Sequence, residues 1–156
     1  MAIDNVRAYF RQFNREQGII EMDISTATVP DAAKALGVIP ARIAKSISLQ
    51  KGESAMLVVT AGDVKLDNRK FKDRFGFKAR MLSPEEALRF TGHAIGGVCP
   101  FALPEEIEVY LDVSMRRFQT IFPACGSGNS AIELTPDELN EFSKNIEWVD
   151  VCKAAE

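Results

Sequence analysis

The stretch Ile43-Ala44-Lys45-Ser46-Ile47-Ser48-Leu49-Gln50-Lys51-Gly52-Glu53-Ser54-Ala55-Met56-Leu57-Val58-Val59-Thr60 sets two β-rich runs on either side of a short polar turn. Isoleucine, leucine and valine dominate residues 43–50 and 55–60, and Gly52 supplies the permissive backbone that a tight reversal needs, so the segment reads as a hairpin. Lys45 is the residue out of place. A long cation near the start of an apolar strand is costly unless it snorkels from the strand end or faces a cleft or an anion.

On the N-terminal side of the hairpin, Ile3, Val6, Phe10 and Phe13 recur at three- and four-residue steps and predict an amphipathic opening helix that Gly18 can close. Residues 19–24 alternate apolar and acidic side chains, as a half-buried strand does. Thr28-Val29-Pro30-Asp31 carries a helix-capping pattern for residues 32–36, with Gly37 as the stop, which makes Thr28 a cap before it is a catalyst. On the C-terminal side, residues 67–75 predict a short basic helix ended by Gly76. Ser83-Pro84-Glu85-Glu86 opens another helix running to about residue 90. Residues 108–112, 119–124 and 131–134 read as strands, Thr135-Pro136-Asp137-Glu138 opens a last helix, and a final strand is expected near Trp148-Val149.

Strands and helices mix without a regular βαβ beat, and no repeats or linkers interrupt them. The expectation is one mixed α/β (α+β) domain over residues 1–156 and not a doubly wound sheet. Its 156 residues and 17.2 kDa exclude separate cofactor and substrate lobes, and 46% hydrophobic with 26% charged residues excludes a disordered chain. The longest apolar run, residues 55–59, is far too short to cross a bilayer, and the first residues lack the apolar stretch of a signal peptide. A cytoplasmic location without membrane partners is therefore expected.

Three cysteines without CxxC spacing and a single histidine predict reduced thiols and no structural zinc. The net charge of -3 means that a nucleic-acid partner must meet a local basic face. Residues 65–80 offer one, with seven basic side chains against Asp67 and Asp73, whereas residues 133–156 are acidic. Taken alone, both are ordinary solvated helix faces.

The segment Thr91-Gly92-His93-Ala94-Ile95-Gly96-Gly97-Val98-Cys99-Pro100-Phe101 combines paired glycines with a stiffening proline. Such a loop presents backbone amides to an oxyanion or phosphate, or is simply a surface turn. It lacks the Lys-Ser/Thr of a P-loop, and no Gly-x-Gly-x-x-Gly occurs. Gly126-Ser127-Gly128-Asn129 suits a hairpin turn or a second pocket wall. Cys99 with His93 invites a thiol-nucleophile reading, against which a lone cysteine is most often a small buried hydrophobe. Asp112 and Ser114 read as caps for the turn at Met115.

In order and spacing, these segments resemble the YbaK/ProX family, freestanding relatives of the editing domain inserted in bacterial prolyl-tRNA synthetase. The resemblance covers roughly residues 20–139. It is carried by Thr28 with Ala32-Ala33 and Leu36-Gly37-Val38, Ile43-Ala44-Lys45-Ser46-Ile47, Gly62-Asp63, and Lys78-Ala79-Arg80-Met81 ahead of Glu85-Glu86. Thr91-Gly92, Gly96 through Phe101, Leu111-Asp112-Val113-Ser114, and Gly126 through Leu134 continue it.

The resemblance implies a mixed α/β fold around a curved, mostly antiparallel or mixed sheet flanked by short helices, and hydrolysis of wrongly charged aminoacyl-tRNA, usually tRNA for proline bearing another small amino acid, without DNA, metal or cofactor. Lys45 is implied to hold the acceptor end, and the backbone amides of Gly96, Gly97 and Val98 to position the ester carbonyl. Thr28, Ser46, Cys99, Pro100 and Phe101, together with Ser127, Gly128 and Asn129, are the implied substrate contacts. Arg69, Lys70 and Lys72 are expected to meet acceptor-stem phosphates. Selectivity for one tRNA comes from the acceptor end alone or from a synthetase partner, of which prolyl-tRNA synthetase is the expected one.

This chemistry suits a chain with one histidine. An aminoacyl ester is already activated, so its hydrolysis needs a positioned water and a stabilised oxyanion, not a dedicated triad. Two departures stand out: Cys99 occupies a position where serine is common, and Ala102 one where glycine is common. At Asn129-Ser130 there is no histidine of the sort that some alanine-specific relatives carry, so alanine is not assigned. The main rival is a non-catalytic module of the same fold that holds a tRNA acceptor end. A thiol enzyme acting through Cys99 is the second.

Overall fold

The expected hairpin is the centre of the sheet. In a computed structural model that describes residues 2–155, β2 (Ile43–Lys51) and β3 (Ser54–Ala61) pair antiparallel from Ala44 with Ala61 to Lys51 with Ser54. Only Gly52 and Glu53 remain in the turn, and Gly52 takes a φ of 59°. Every β3 residue from Ala55 to Ala61 is buried, which explains why this run does not alternate: both faces of the strand are covered. Truncating Leu57, which has no exposed surface, to Ala should cost about 2–5 kcal/mol.

The hairpin is flanked by parallel partners. With β5 (Glu108–Asp112), β6 (Phe122–Pro123) and β8 (Trp148–Val149) it forms a five-stranded sheet in the order β6-β2-β3-β5-β8, in which only the hairpin pair is antiparallel. Two small antiparallel ladders complete the sheets. β1 (Ile19–Glu21) pairs with β7 (Ser130–Ile132), and β4 (Val64–Leu66) pairs with β9 (Cys152–Ala154).

The helices stand where their caps put them. They are α1 (Ala2–Arg11), α2 (Val29–Leu36), α3 (Asn68–Phe75), α4 (Pro84–Thr91) and α5 (Pro136–Phe142). Thr28 accepts from the Asp31 amide, Asp67 accepts from the amides of Arg69 and Lys70, and Ser83 and Thr135 each form a complete capping box. Gly37, Gly76 and Gly92 end α2, α3 and α4 in the left-handed region. α1 buries Val6 and Phe10, and the Phe10 ring meets Phe101 edge-on at 4.7 Å between centroids.

Three sequence expectations are revised. The strand expected over residues 119–124 reduces to β6, because Ile121 and Ala124 bridge instead to Leu134 and Ala131. The strand of residues 19–24 stops at Glu21. β4 and β9 were not expected, since each buries too few side chains to leave a period-two pattern. No helix among the described residues is long and apolar enough to cross a membrane.

Candidate functional site

The outer edge of β2 is covered at both ends and open in the middle. β6 pairs with Ile43 and Ala44, and the Leu82 amide donates to the Ser48 carbonyl at 3.0 Å. Between these closures lies a cavity of about 390 Å³, walled by residues 43–48, Met81, Leu82, Phe122, Ala124, Ser130 and Ala131, and roofed by residues 26–29, Ile95, Gly96 and Val98. Arg42 pins the β6 wall: its Nε donates to the Thr120 carbonyl at 3.1 Å while the guanidinium lies 5.2 Å from the centre of the Phe122 ring. One end of the cavity is apolar, formed by Val29, Ala32, Ile43 and Phe122. Hydroxyl-bearing residues Thr26, Ser46, Ser48 and Ser130 stand on other parts of the wall.

Lys45 is half-buried beside this cavity, and its Nζ donates to the Val64 carbonyl at 2.7 Å. Burial depresses the pKa of the ammonium, partly opposed by nearby Cys152 and Asp63. The Asp63 carboxylate itself is held below its usual range, chiefly by its two hydrogen bonds with Arg117, at 2.6 and 3.0 Å. Gly62, beside it, has no room for a side chain. A Cβ there would stand 2.2 Å from the Pro40 carbonyl oxygen and 2.8 Å from Val29 Cγ1. The matched Gly62-Asp63 pair thus has a packing reason that sequence reading alone did not supply.

The two glycine loops meet. A Cβ on Gly97 would lie 2.7 Å from the Ser127 amide nitrogen, and one on Gly96, whose φ is 93°, would lie 3.0 Å from Ala27 Cβ. The second loop also clasps the chain entering α2, with Thr26 N–H donating to the Gly128 carbonyl at 2.7 Å and Met22 N–H to the Asn129 carbonyl at 2.8 Å. Ser127 donates to Ser130 Oγ at 2.6 Å.

Of the expected site residues, Lys45, Ser46, Thr28, Gly96 and Val98 line the cavity together. Ser127, Gly128 and Asn129 do not line it and brace the roof from behind. The Gly97 amide donates to the Ala94 carbonyl at 2.9 Å and is occupied in a turn, so Gly96 and Val98 are the loop residues left facing the space.

Cys99, Pro100 and Phe101 run away from the cavity. Cys99 and Phe101 have no exposed surface, and Pro100 lines a separate hollow with Tyr9 and Phe142. These three expected contacts do not line the cavity, because the chain after Val98 turns inward and packs Phe101 against Phe10 of α1.

Cys99 Sγ lies 3.5 Å from His93 Nε2, but the pair is no dyad. Nε2 also sits 2.8 Å from the Phe101 carbonyl, which can only accept, so Nε2 carries the proton and cannot take one from the thiol. Burial pushes the Cys99 thiol up to about 12.

The basic helix is partly neutralised. Lys70 donates to Asp150 at 3.1 Å and to the Cys152 carbonyl at 3.0 Å, and Arg74 pairs with Glu147. Arg69 and Lys72 are exposed and hold no ion pair among the described residues. Asp112 caps the turn as expected, accepting from the Ser114 amide at 2.9 Å.

Sequence reading missed Thr26 and Ser130, both buried in the cavity wall. The Thr26 hydroxyl is without a partner among the described residues. Neither residue sits in a motif that separates a wall from a turn. Among the described residues, no group of three or more His, Cys, Asp or Glu side chains is placed to share a metal ion.

Comparison with known proteins identifies the family. The Aminoacyl-tRNA editing domain family matches residues 24–142, the span that contains the whole cavity wall. An uncharacterized Bacillus subtilis protein, YwhH, is 59% identical over 154 residues, covering 98% of each chain. The Enterococcus faecalis protein EbsC, a proposed Cys-tRNA(Pro)/Cys-tRNA(Cys) deacylase, is 26% identical over 69% of this chain and 66% of its own. A Trichlorobacter lovleyi proline–tRNA ligase is 31% identical over 90 residues, of which the aligned part is only 16% of the ligase. A crystal structure of a proposed trans-editing enzyme for prolyl-tRNA synthetase superposes with a TM-score of 0.88, at 27% identity and 98% coverage of both chains. The chain belongs to the aminoacyl-tRNA editing domain family.

Proposed function

We propose that this protein is a freestanding deacylase that hydrolyses the ester of a mischarged tRNA, with tRNA for proline carrying a small non-cognate amino acid as the preferred substrate. The observation that carries the reading is the cavity on β2, which joins a small apolar end to Lys45 and to the Gly96–Val98 backbone. The apolar end suits a short side chain and limits size, which is how an editing site rejects larger esters. Lys45 offers a compact positive charge to the terminal ribose or phosphate, and the loop amides of Gly96 and Val98 face the position where an oxyanion develops. Arg69 and Lys72 contact acceptor-stem phosphates, and Lys70 joins them only by leaving Asp150. Selectivity for one tRNA comes from contacts at the acceptor end or from a synthetase partner, with prolyl-tRNA synthetase as the expected one.

The test is amino-acid release from tRNA for proline charged separately with alanine, cysteine, serine and proline. Hydrolysis of a mischarged species with proline spared supports the deacylase. Binding of the acceptor end without hydrolysis of any of the four favours the non-catalytic module.

A further inference from the structure

The interruption in the β2 edge fixes which backbone groups face the cavity. The Leu82 amide donates to the Ser48 carbonyl, and the Gln50 amide donates to the Arg80 carbonyl at 2.8 Å. Strand geometry repeats every two residues, so the even-numbered residues of β2 turn their N–H and C=O groups toward this outer edge and the odd-numbered ones toward β3. The parallel ladder with β6 ends at Ala44 and Pro123. Ser46 N–H, Ser46 C=O and Ser48 N–H therefore point into the gap, and no hydrogen bond to any of the three occurs among the described residues. Ser48 is only 6% exposed, and buried backbone groups are almost always paired, so an unfilled edge at this position calls for a partner.

The gap also selects the partner. From Ala44 to Ser48 it spans four residue steps, about 13 Å, and both ends are closed by protein. An added peptide strand does not fit, whereas one amino-acid unit does. Resting on the deacylase reading above, we infer that the open peptide edge of β2, and not a side chain, orients the aminoacyl group. The Ser46 carbonyl accepts from the free α-amino group and the Ser46 amide donates to the ester carbonyl oxygen, the two-bond exchange of an antiparallel pair, with the Ser48 amide covered by the bound unit. The aminoacyl unit is thereby bound as a one-residue strand, with its side chain directed off the sheet. Esters whose α-nitrogen is acylated keep a single neutral N–H, lose the ammonium charge that strengthens the first bond and add bulk against the edge, so the site selects free aminoacyl esters over N-acylated ones.

The probe is 3′-deoxy-3′-(L-alanylamino)adenosine, an amide-linked aminoacyl adenosine that resists hydrolysis, compared with its N-acetyl derivative and with adenosine. Amide hydrogen exchange by NMR on the full chain is the readout. The expected result is exchange at Ser46 and Ser48 slowed at least tenfold by the alanylamino compound and unaltered by adenosine, with at least tenfold weaker binding of the acetylated form. Ser46→Pro, which removes an N–H that belongs to no ladder, is expected to weaken binding by a similar factor. If that variant does not fold, the wild-type exchange data decide alone. Binding with protection confined to Gly96 and Val98, or equal binding of the acetylated form, overturns this inference and leaves the deacylase standing. Failure of the alanylamino compound, and of its cysteinyl and seryl counterparts, to bind overturns this inference, and amino-acid release from the charged tRNAs decides the deacylase reading separately.

Discussion

Lys45 Nζ donates its hydrogen bond not to an acid but to the main-chain carbonyl of Val64, 2.7 Å away across the junction between the central sheet and the β4–β9 ladder. The strand that completes this junction, β9, lies beyond the region that defines the family match. The C-terminal strand thus supports the β4 segment that holds the cation at the cavity.

Replacing Lys45 by Met keeps the length of the side chain and removes the charge. The folded-state pKa of this lysine lies below the ordinary 10.5, so the unfolded chain binds the proton more tightly. Stability attributable to this group therefore rises with pH across the window between the depressed value and 10.5. Lys45→Met should abolish that rise, leave stability within about 1 kcal/mol of wild type because only one neutral acceptor loses its partner, and reduce deacylation at least about tenfold. Denaturant unfolding as a function of pH, run beside the activity assay, checks all three. A variant that unfolds early would show that Lys45 is structural.

Asp63 raises the Lys45 pKa, so Asp63→Asn should lower it further. Titration of the Nζ resonance in both proteins measures the shift, and an unchanged or raised value contradicts the placement of these two groups.

Cys99→Ser should retain activity within about threefold of wild type, since the thiol is buried away from the cavity and a serine hydroxyl can donate to the same Phe101 carbonyl that Cys99 meets at 3.8 Å. Steady-state deacylation decides. A loss of a hundredfold or more would restore the thiol-enzyme reading.

Gly97→Ala should be destabilising by about 1–3 kcal/mol, because its Cβ would collide with rigid backbone at Gly126 and Ser127, all within 2.8 Å. Thermal unfolding measures the effect. Ala102→Gly should act in the opposite sense. Ala102 holds a φ of 56°, and relief of a left-handed alanine is worth about 1 kcal/mol.

The hairpin, the caps and the cation were legible in the sequence because each is a local pattern. Thr28, Ser83 and Thr135 announce their helices within four residues, and Lys45 stands out against its own strand. The gap in the β2 edge was not legible. It depends on where β6 stops and where Arg80 to Leu82 begins, two endpoints more than forty residues apart in sequence that no periodicity encodes. The inward turn of Cys99 to Phe101 was missed for a related reason: a Gly-Gly-x-Cys-Pro-Phe string has the same composition whether its last residues face a ligand or the Phe10 ring. The basic segment misled in part because the partners of Lys70 and Arg74, Asp150 and Glu147, lie in the acidic C-terminal stretch.

Charge reversal at Arg69 and Lys72 should weaken tRNA binding and flatten its salt dependence by about one to two contacts, whereas reversal at Glu53, on the hairpin turn, should do neither. Binding measured between low and moderate salt checks this. Identical slopes for the variants and wild type would remove α3 from the tRNA surface.

The most direct measurement is single-turnover deacylation of tRNA for proline charged with alanine, cysteine, serine or proline, comparing wild type with folded Lys45→Met. Hydrolysis of a mischarged species by the wild type, its loss in the variant, and sparing of the proline ester are the expected results. Equal rates in the two proteins, or no release above the enzyme-free background from any of the four, would contradict the proposed function.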